Sequence, residues 1–415
     1  MSGEASAEDR SARLAREGVQ ISDAIRELPA DRPLLETAEA ICRHVVRLTG
    51  LTAAGIVMFR PDGRADTLGA AAADDLPIPR LLLPGDTSRY LQNRATAGAW
   101  VEDWVDRPRH PYNQVLRQLA AGQIACAPVR NDEHLLGLVV ATAHSSAATA
   151  PLGDTLRALA EFADLTAAAL GNAIEARYGL MDLRAQLSTV IARRAFHPVF
   201  QPIVDIVRKR VVGYEALTRF DDEAAPDARF AAAARVGLGL DLEIATLESA
   251  LTAARALPRH QWLAMNASPS LVLAGEPLCT LLRGADRCIV LEITEHSAID
   301  DYAAFRSRLA AFGHHVSVAV DDVGAGYADL RHVVELNPAF VKIDQALIHG
   351  VDRDPARQAI VVGMEFYGRA SRRRIVAEGI ETDAELRTLV SLGVQLGQGF
   401  LLGRPGRVDR RVRHP

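Results

Sequence analysis

The chain has 415 residues, 49% hydrophobic and 24% charged, with a formal net charge of -5. That length exceeds one ordinary core and points to two domains. The charge balance gives no reason to expect a nucleic-acid polymer as partner, and no run of about 18 apolar residues offers a membrane span.

The opening MSGEASAEDR is polar and acidic, which is unlike a signal peptide. Residues 1–18 read as a flexible leader. Leu34, Leu35, Ala38, Ile41, Val45 and Leu48 recur at helical spacing, and TAAGIVMFR follows as a strand entering the turn Pro61-Asp62-Gly63. Residues 64–113 read as loop-rich and contain Trp100 and Trp104, assigned to packing ahead of a ligand pocket. GQIACAPVRNDEHLLGLVVATA, residues 122–143, reads as a hairpin, and a long helix starts near Gly153. Four cysteines, Cys42, Cys126, Cys279 and Cys288, show no C-x-x-C spacing and suit reduced, mostly buried thiols of a cytoplasmic protein.

Between 154 and 194, apolar side chains from Leu156 to Ile191 recur mostly every three or four residues, with a hinge-like Tyr178-Gly179. That pattern predicts one long amphipathic helix or two in series. Its stripe either packs within its own chain or pairs two copies in a homodimer, and the dimer is the favoured reading. From Phe196 onward, eight short apolar runs alternate with helical patterns, which suggests an α/β fold closed as a (β/α)8 barrel.

The barrel pattern carries its chemistry at strand ends. VSVAV stops at Asp321 and Asp322, two adjacent carboxylates that repel one another unless a divalent cation intervenes. Comparable polar residues end or follow the other runs: Gln201, Glu215, Asn266, Glu292, Lys342 with Asp344, Glu378 and Gln398. In such a barrel strand C-termini converge on one face, so these residues are expected to meet. Six carboxylates and an amide oxygen suit two divalent cations about 3.5–4 Å apart. All-oxygen ligands favour Mg²⁺ or Mn²⁺. Arg219 adds a planar fork for phosphate. The histidines His296, His314, His315 and His349 are not assigned to catalysis.

Two resemblances sharpen this. Residues 20–172, through the helix–strand opening and the APVRNDEHLLGLVVA hairpin, resemble a GAF domain, a small α/β sensory module. Residues 196–406 resemble the EAL-domain cyclic di-GMP phosphodiesterases. The matching motifs are Glu215-Ala216-Leu217-Thr218-Arg219, Asn266-Ala267-Ser268, Glu292-Ile293-Thr294-Glu295, Asp321–Tyr327, Lys342-Ile343-Asp344, Glu378-Gly379 and Gln398-Gly399-Phe400.

The second resemblance implies roles for single residues. Glu215, Asn266, Glu292 and Asp321 match ligands of one metal; Asp321, Asp322, Asp344 and Glu378 match the surroundings of a second metal and its water. Lys342 matches a lysine contacting attacking water and phosphate. Gln201, Leu217, Arg219, Asn266, Lys342 and Gln398 match substrate contacts. Glu295 matches a glutamate that holds the Asp321–Tyr327 loop. It further implies in-line hydrolysis of cyclic di-GMP to linear pGpG, regulated by the first domain and an unknown small-molecule ligand there. Val323 stands where the family usually has Phe, and Phe400 where Tyr is common; no expected metal ligand is altered. The expected organisation is a leader at 1–18, a GAF-like domain at 19–172, a helical linker at 173–195, the barrel at 196–408 and a tail at 409–415. Two alternatives remain, a non-catalytic cyclic di-GMP receptor and a sensor scaffold with a vestigial barrel.

Overall fold

The computed structural model describes residues 33–49, 51–104, 112–131, 134–144, 152–294, 299–324 and 330–408. The leader, the tail, Glu295, His296 and Tyr327 lie outside the described residues. The chain divides into two compact units, residues 1–182 and 183–415.

The first unit is an antiparallel six-stranded sheet in the order β3-β2-β1-β6-β5-β4. Its strands are β1 (Ala53–Phe59), β2 (Ala65–Ala72), β3 (Leu82–Leu83), β4 (Trp100–Asp103), β5 (Ala121–Asn131) and β6 (His134–His144). Alternation along β1 separates two cores. Ile56 and Met58 face helix Leu34–Thr49 through Ile41 and Val45, together with Leu159, Phe162 and Ile174 of helix Leu152–Arg193. Val57 and Phe59 face the other side with Trp100, Ile124 and Cys126.

The loop-rich reading of 64–113 is corrected: the segment holds β2, β3, helix Gly85–Ala95 and β4. The sequence of β2, ADTLGAAA, has a single β-branched residue, so pairing with β1 rather than local preference makes it a strand. Gly69 on β2 lets the helix lie directly on the sheet, since a Cβ there would come 2.5 Å from Glu39 N. At Gly137 on β6 a Cβ would lie 2.0 Å from the Val57 carbonyl oxygen. Gly137→Ala is therefore expected to destabilise this unit by about 1–3 kcal/mol, measured by thermal or denaturant unfolding.

Helix Leu152–Arg193 is a single element running through Tyr178-Gly179, with no break at the hinge-like pair. One glycine inside a helix costs only about 1 kcal/mol. The Tyr178 hydroxyl donates to the Leu136 carbonyl. Along the apolar stripe Leu159, Phe162, Leu170 and Ile174 are buried in the first unit and Leu187 in the second, while Leu156, Leu165, Tyr178, Leu183 and Ile191 are half-buried. The thiols also depart from the mostly buried expectation, with Cys42 and Cys126 buried, Cys279 half-buried and Cys288 exposed.

The second unit is a closed eight-stranded barrel. In chain order its strands are β7 (Phe196–Asp205), β8 (Arg210–Phe220), β9 (Trp262–Asn266), β10 (Ile289–Thr294), β11 (Val316–Val323), β12 (Phe340–Ile343), β13 (Arg374–Ala377) and β14 (Leu396–Gly397). All eight anticipated runs are strands, but their alternation with helices fails at the first step. β7 and β8 form a hairpin, and β7 runs antiparallel to both neighbours. Too few residues join them for a parallel crossover. The Asp205 carboxylate accepts from the Arg208 backbone N–H at 2.8 Å, and Lys209 takes a left-handed φ of 55°, which closes the turn. No helix among the described residues is long and apolar enough to cross a membrane.

Candidate metal and phosphate site

Side-chain alternation along the strands builds the site. Ile203, Ala264, Val290, Ala319, Phe340, Val376 and Leu396 form one apolar cluster across the strands. On β8 the equivalent position is Gly213, where a Cβ would collide with the Trp262 ring at 2.4 Å. Two residues further toward the C-terminal ends of β8–β14 the same faces carry Glu215, Asn266, Glu292, Asp321, Lys342, Glu378 and Gln398. Reversed β7 supplies Gln201, two residues before Ile203 and paired with Glu215. Gln201 thus reaches this level from mid-strand, through the reversed direction of β7, and not from a strand end. Each of the eight strands delivers one polar side chain above an apolar floor.

Lys342 stands at the centre, 2% exposed. Its Nζ lies 2.7 Å from Glu378 Oε1, 2.9 Å from Glu292 Oε1, 3.0 Å from Asp321 Oδ1 and 3.4 Å from Glu215 Oε2. Gln398 Nε2 donates to Glu215 Oε2 at 2.5 Å and to Gln201 Oε1 at 3.0 Å. Gln201 Nε2 donates in turn to the Gly403 carbonyl at 3.2 Å.

Adjacent strand residues normally point to opposite faces, so Asp321 and Asp322 need a device to share one. The register between β11 and β12 shifts between Val320 and Val323, and Asp322 has a left-handed φ of 58°. This bulge re-aims the chain. Carboxylate atoms of Asp321, Asp322 and Glu378 then fall within 4.8 Å of one another, as do those of Glu215, Glu292 and Asp321. Asp344 is in neither group; its Oδ1 accepts from Ala346 N at 2.8 Å and caps helix Gln345–Ile348. Asn266 ends β9 in register with Glu292 and is exposed. Leu217 and Arg219 continue the Glu215 face of β8, half-buried and exposed respectively.

Four carboxylates face one ammonium. Burial pulls the Lys342 ammonium toward neutrality, but Asp321, Glu215, Glu292 and Glu378 outweigh it and hold its pKa well above the usual lysine value. Burial raises the Glu292 carboxyl well above the carboxylate range, reinforced by Glu215 and offset in part by Lys342. Glu378 is raised the same way, first by burial, against the pull of Lys342. Glu292 Oε2 and Gln398 Oε1 are buried with no hydrogen-bond partner among the described residues. Unpartnered oxygens in an acid-rich basin fit a hard cation, which needs oxygen ligands.

Sequence reasoning missed Glu243. This acid, on helix Gly239–Ala254, accepts from Ser268 N at 2.9 Å and so braces the turn after Asn266. Burial raises its pKa, and the bond from Ser268 lowers it in part. The available signal was a carboxylate among the apolar positions of LEIATLESALTAA.

The EAL-domain model matches residues 184–405, just over half of the 415-residue chain. The chain belongs to the EAL family. The GAF-domain model matches residues 33–170, so the N-terminal sheet unit is a GAF domain. Among EAL relatives, a probable cyclic di-GMP phosphodiesterase of Escherichia coli K12, PdeN, is 29% identical over 256 residues, 57% of this chain and 49% of that protein. The Pseudomonas aeruginosa cyclic di-GMP phosphodiesterase PA2567 is 30% identical over 248 residues, 56% of this chain and 42% of that protein. The chain thus spans half or less of these two relatives. A solved EAL enzyme, Bd1971 in a cAMP- and cyclic-di-GMP-bound form, shares the fold at a TM-score of 0.52 and 18% identity, over 87% of this chain and 92% of its own.

Of the EAL motif departures, Val323 is 4% exposed within the barrel core. Phe400 is half exposed, with the Arg404 guanidinium 4.3 Å from its ring centroid.

Proposed function

We propose that this EAL barrel hydrolyses cyclic di-GMP to linear pGpG using two divalent cations, Mg²⁺ or Mn²⁺, under control of the GAF domain. The observation that carries the reading is the gathering of Glu215, Glu292, Asp321 and Glu378 within reach of Lys342, with no acid of the motif set replaced.

Glu215, Asn266, Glu292 and Asp321 would hold one cation; Asp321, Asp322 and Glu378, joined by Asp344, would hold the other. Bound cations lower the pKa of water and neutralise charge developing on phosphate. The chain's own residues do the rest. The Lys342 ammonium is a fixed donor beside the attack position. Gln398, tied to Gln201 and Glu215, orients polar contacts to water and substrate. Leu217 supplies an apolar rest for the substrate, and Arg219 presents a fork for a phosphate at the rim. Glu295 is proposed as the residue that steadies the loop after Asp322.

Incubating the full chain with cyclic di-GMP and Mn²⁺ is expected to release linear product, and EDTA to abolish release. Absence of product from the chain and from the isolated barrel alike would sink the proposal. Protons compete with cations for Glu292 and Glu378, whose raised pKa values keep them protonated to higher pH. Mn²⁺ affinity is therefore expected to fall as pH falls, by titration calorimetry at about pH 8 and about pH 6.

The second reading is a receptor that binds cyclic di-GMP without turnover. It is favoured by one feature: the Lys342 ammonium already satisfies four carboxylates, so the fold need not hold a cation to exist. Tight binding with no product in excess Mn²⁺ would select it.

The domain limits proposed are 19–172 for the GAF domain, 173–195 for the helical linker and 196–408 for the barrel, in a cytoplasmic protein. A homodimer is also proposed, through the barrel. Phe366 on helix Pro355–Ser371 and Val334 on helix Leu330–Leu336 are 73% and 68% exposed, unusual for large apolar side chains. Phe366→Glu is expected to shift sedimentation toward the monomer.

A further inference from the structure

A cavity of about 300 Å³ lies at the end of the barrel away from the acid layer. Arg374, which opens β13, lines it, whereas Glu378 follows the other end of that strand. Small-molecule pockets begin at about this size.

Five arginines line the cavity: Arg208, Arg210, Arg369, Arg373 and Arg374. They come from two remote stretches of the chain. Arg208 lies in the turn between β7 and β8, and Arg210 opens β8. Arg369 is in the last turn of helix Pro355–Ser371, and Arg373 and Arg374 lead from that helix into β13. β13, β14, β7 and β8 are successive strands of the closed barrel, so the two sets meet.

Two carboxylates, Asp205 and Glu365, complete the charged lining, and both are committed. Asp205 Oδ2 is 3.0 Å from Arg208 Nη1, and Glu365 Oε1 is 3.0 Å from Arg369 Nε. Arg210, Arg373 and Arg374 belong to no ion pair among the described residues. Five guanidiniums less two carboxylates leave three positive charges in excess, in a chain whose formal net charge is -5. Cations gathered in one concave space focus a positive potential that draws anions. Two of the unpaired guanidiniums are also held in place. Arg373 Nη2 donates to Asn337 Oδ1, and the Arg374 guanidinium carbon lies 5.2 Å from the Phe340 ring centroid. Side chains already held lose less freedom when a ligand arrives.

We infer that this cavity binds an anion with two or more adjacent phosphate groups, either free or as part of a nucleotide. Planar guanidinium forks match phosphate oxygens. One phosphate group carries about -1.5 to -2 at neutral pH, short of the three charges in excess, so a diphosphate matches them better. The inference goes beyond the phosphodiesterase reading. Its test reads binding alone, so a chain inactive toward cyclic di-GMP leaves it standing.

The test is titration calorimetry of the full chain with pyrophosphate, orthophosphate and ATP, in buffer stripped of metal over a chelating resin. Without metal the acid layer repels these probes, and no soluble chelator competes with them. Pyrophosphate is expected to bind, and orthophosphate at least about tenfold more weakly. ATP binding tighter than pyrophosphate would make a nucleotide the ligand, and weaker binding the free anion. Arg210→Gln and Arg374→Gln are each expected to weaken pyrophosphate at least about fivefold, the loss of one charged hydrogen-bonding fork. Arg157→Gln, at an arginine 88% exposed in the first unit, is expected to leave affinity within about twofold. Absence of pyrophosphate binding overturns the inference, as does orthophosphate binding equally well. So does an Arg210→Gln affinity no lower than that of Arg157→Gln. Should Arg374→Gln fail to fold by circular dichroism, Arg210→Gln decides, because its side chain is exposed at the start of a strand.

Discussion

Replacing Glu215 with alanine is expected to lower hydrolysis of cyclic di-GMP by more than about 100-fold while the barrel stays folded. Residues that merely orient a metal ligand cost about 10–100-fold when removed, so a direct ligand should exceed that range. Glu215 has three roles at once. It belongs to the acid group with Glu292 and Asp321, it faces the Lys342 ammonium, and it accepts from Gln398. Alanine removes all three, and a conservative Glu215→Gln keeps the length but not the charge. Both variants should lose activity together, and Mn²⁺ affinity should drop in parallel by calorimetry. Near-normal turnover in Glu215→Ala, with an unchanged melting profile, would place the reaction elsewhere on the barrel.

Replacing Lys342 with methionine should produce the largest change in stability. Methionine roughly matches the stem of the lysine and deletes the charge. Four carboxylates would then face one another in a buried layer without their shared cation. Breaking a buried ion pair by removing one partner costs about 3–5 kcal/mol, because the remaining charge stays uncompensated. For a unit of this size that corresponds to melting about 6–20 °C lower in the absence of metal. Divalent cations should recover more stability in the variant than in the parent chain, since a ligand stabilises the folded state in proportion to its binding there. Turnover should also fall, for want of the central donor. Equal melting temperatures with and without Mn²⁺ in Lys342→Met would show that the acid layer takes up protons instead of a cation.

Much of this layer was legible one strand at a time. Most apolar runs carried a polar residue at or just past their C-terminal end, and alternation placed Glu292 on the same face as Val290, and Lys342 on that of Phe340. Three features were not legible. β2 is a strand although its alanines carry no strand preference, because β1 offers it backbone partners. β7 runs backward because its connection to β8 is a tight turn, and only that reversal brings Gln201 opposite Glu215. Asp344, proposed for the second cation from its motif, also caps helix Gln345–Ile348 through its Oδ1, a second role that the motif does not show.

The order of residues along the chain determined which side chains could be polar at the rim, since a two-residue period assigns every strand position to one face. It also determined the supply of oxygen ligands and the lack of a thiolate or paired-imidazole set. Closure of the barrel decided the rest. It brought Glu215, Glu292, Asp321 and Glu378, separated by up to 163 positions from first to last (378 minus 215), around one ammonium. The bulge at Asp322 then turned a second carboxylate into the same basin. Distances between residues remote in sequence depend on strand order and register, and those are properties of the folded sheet, set by pairing that no local stretch encodes.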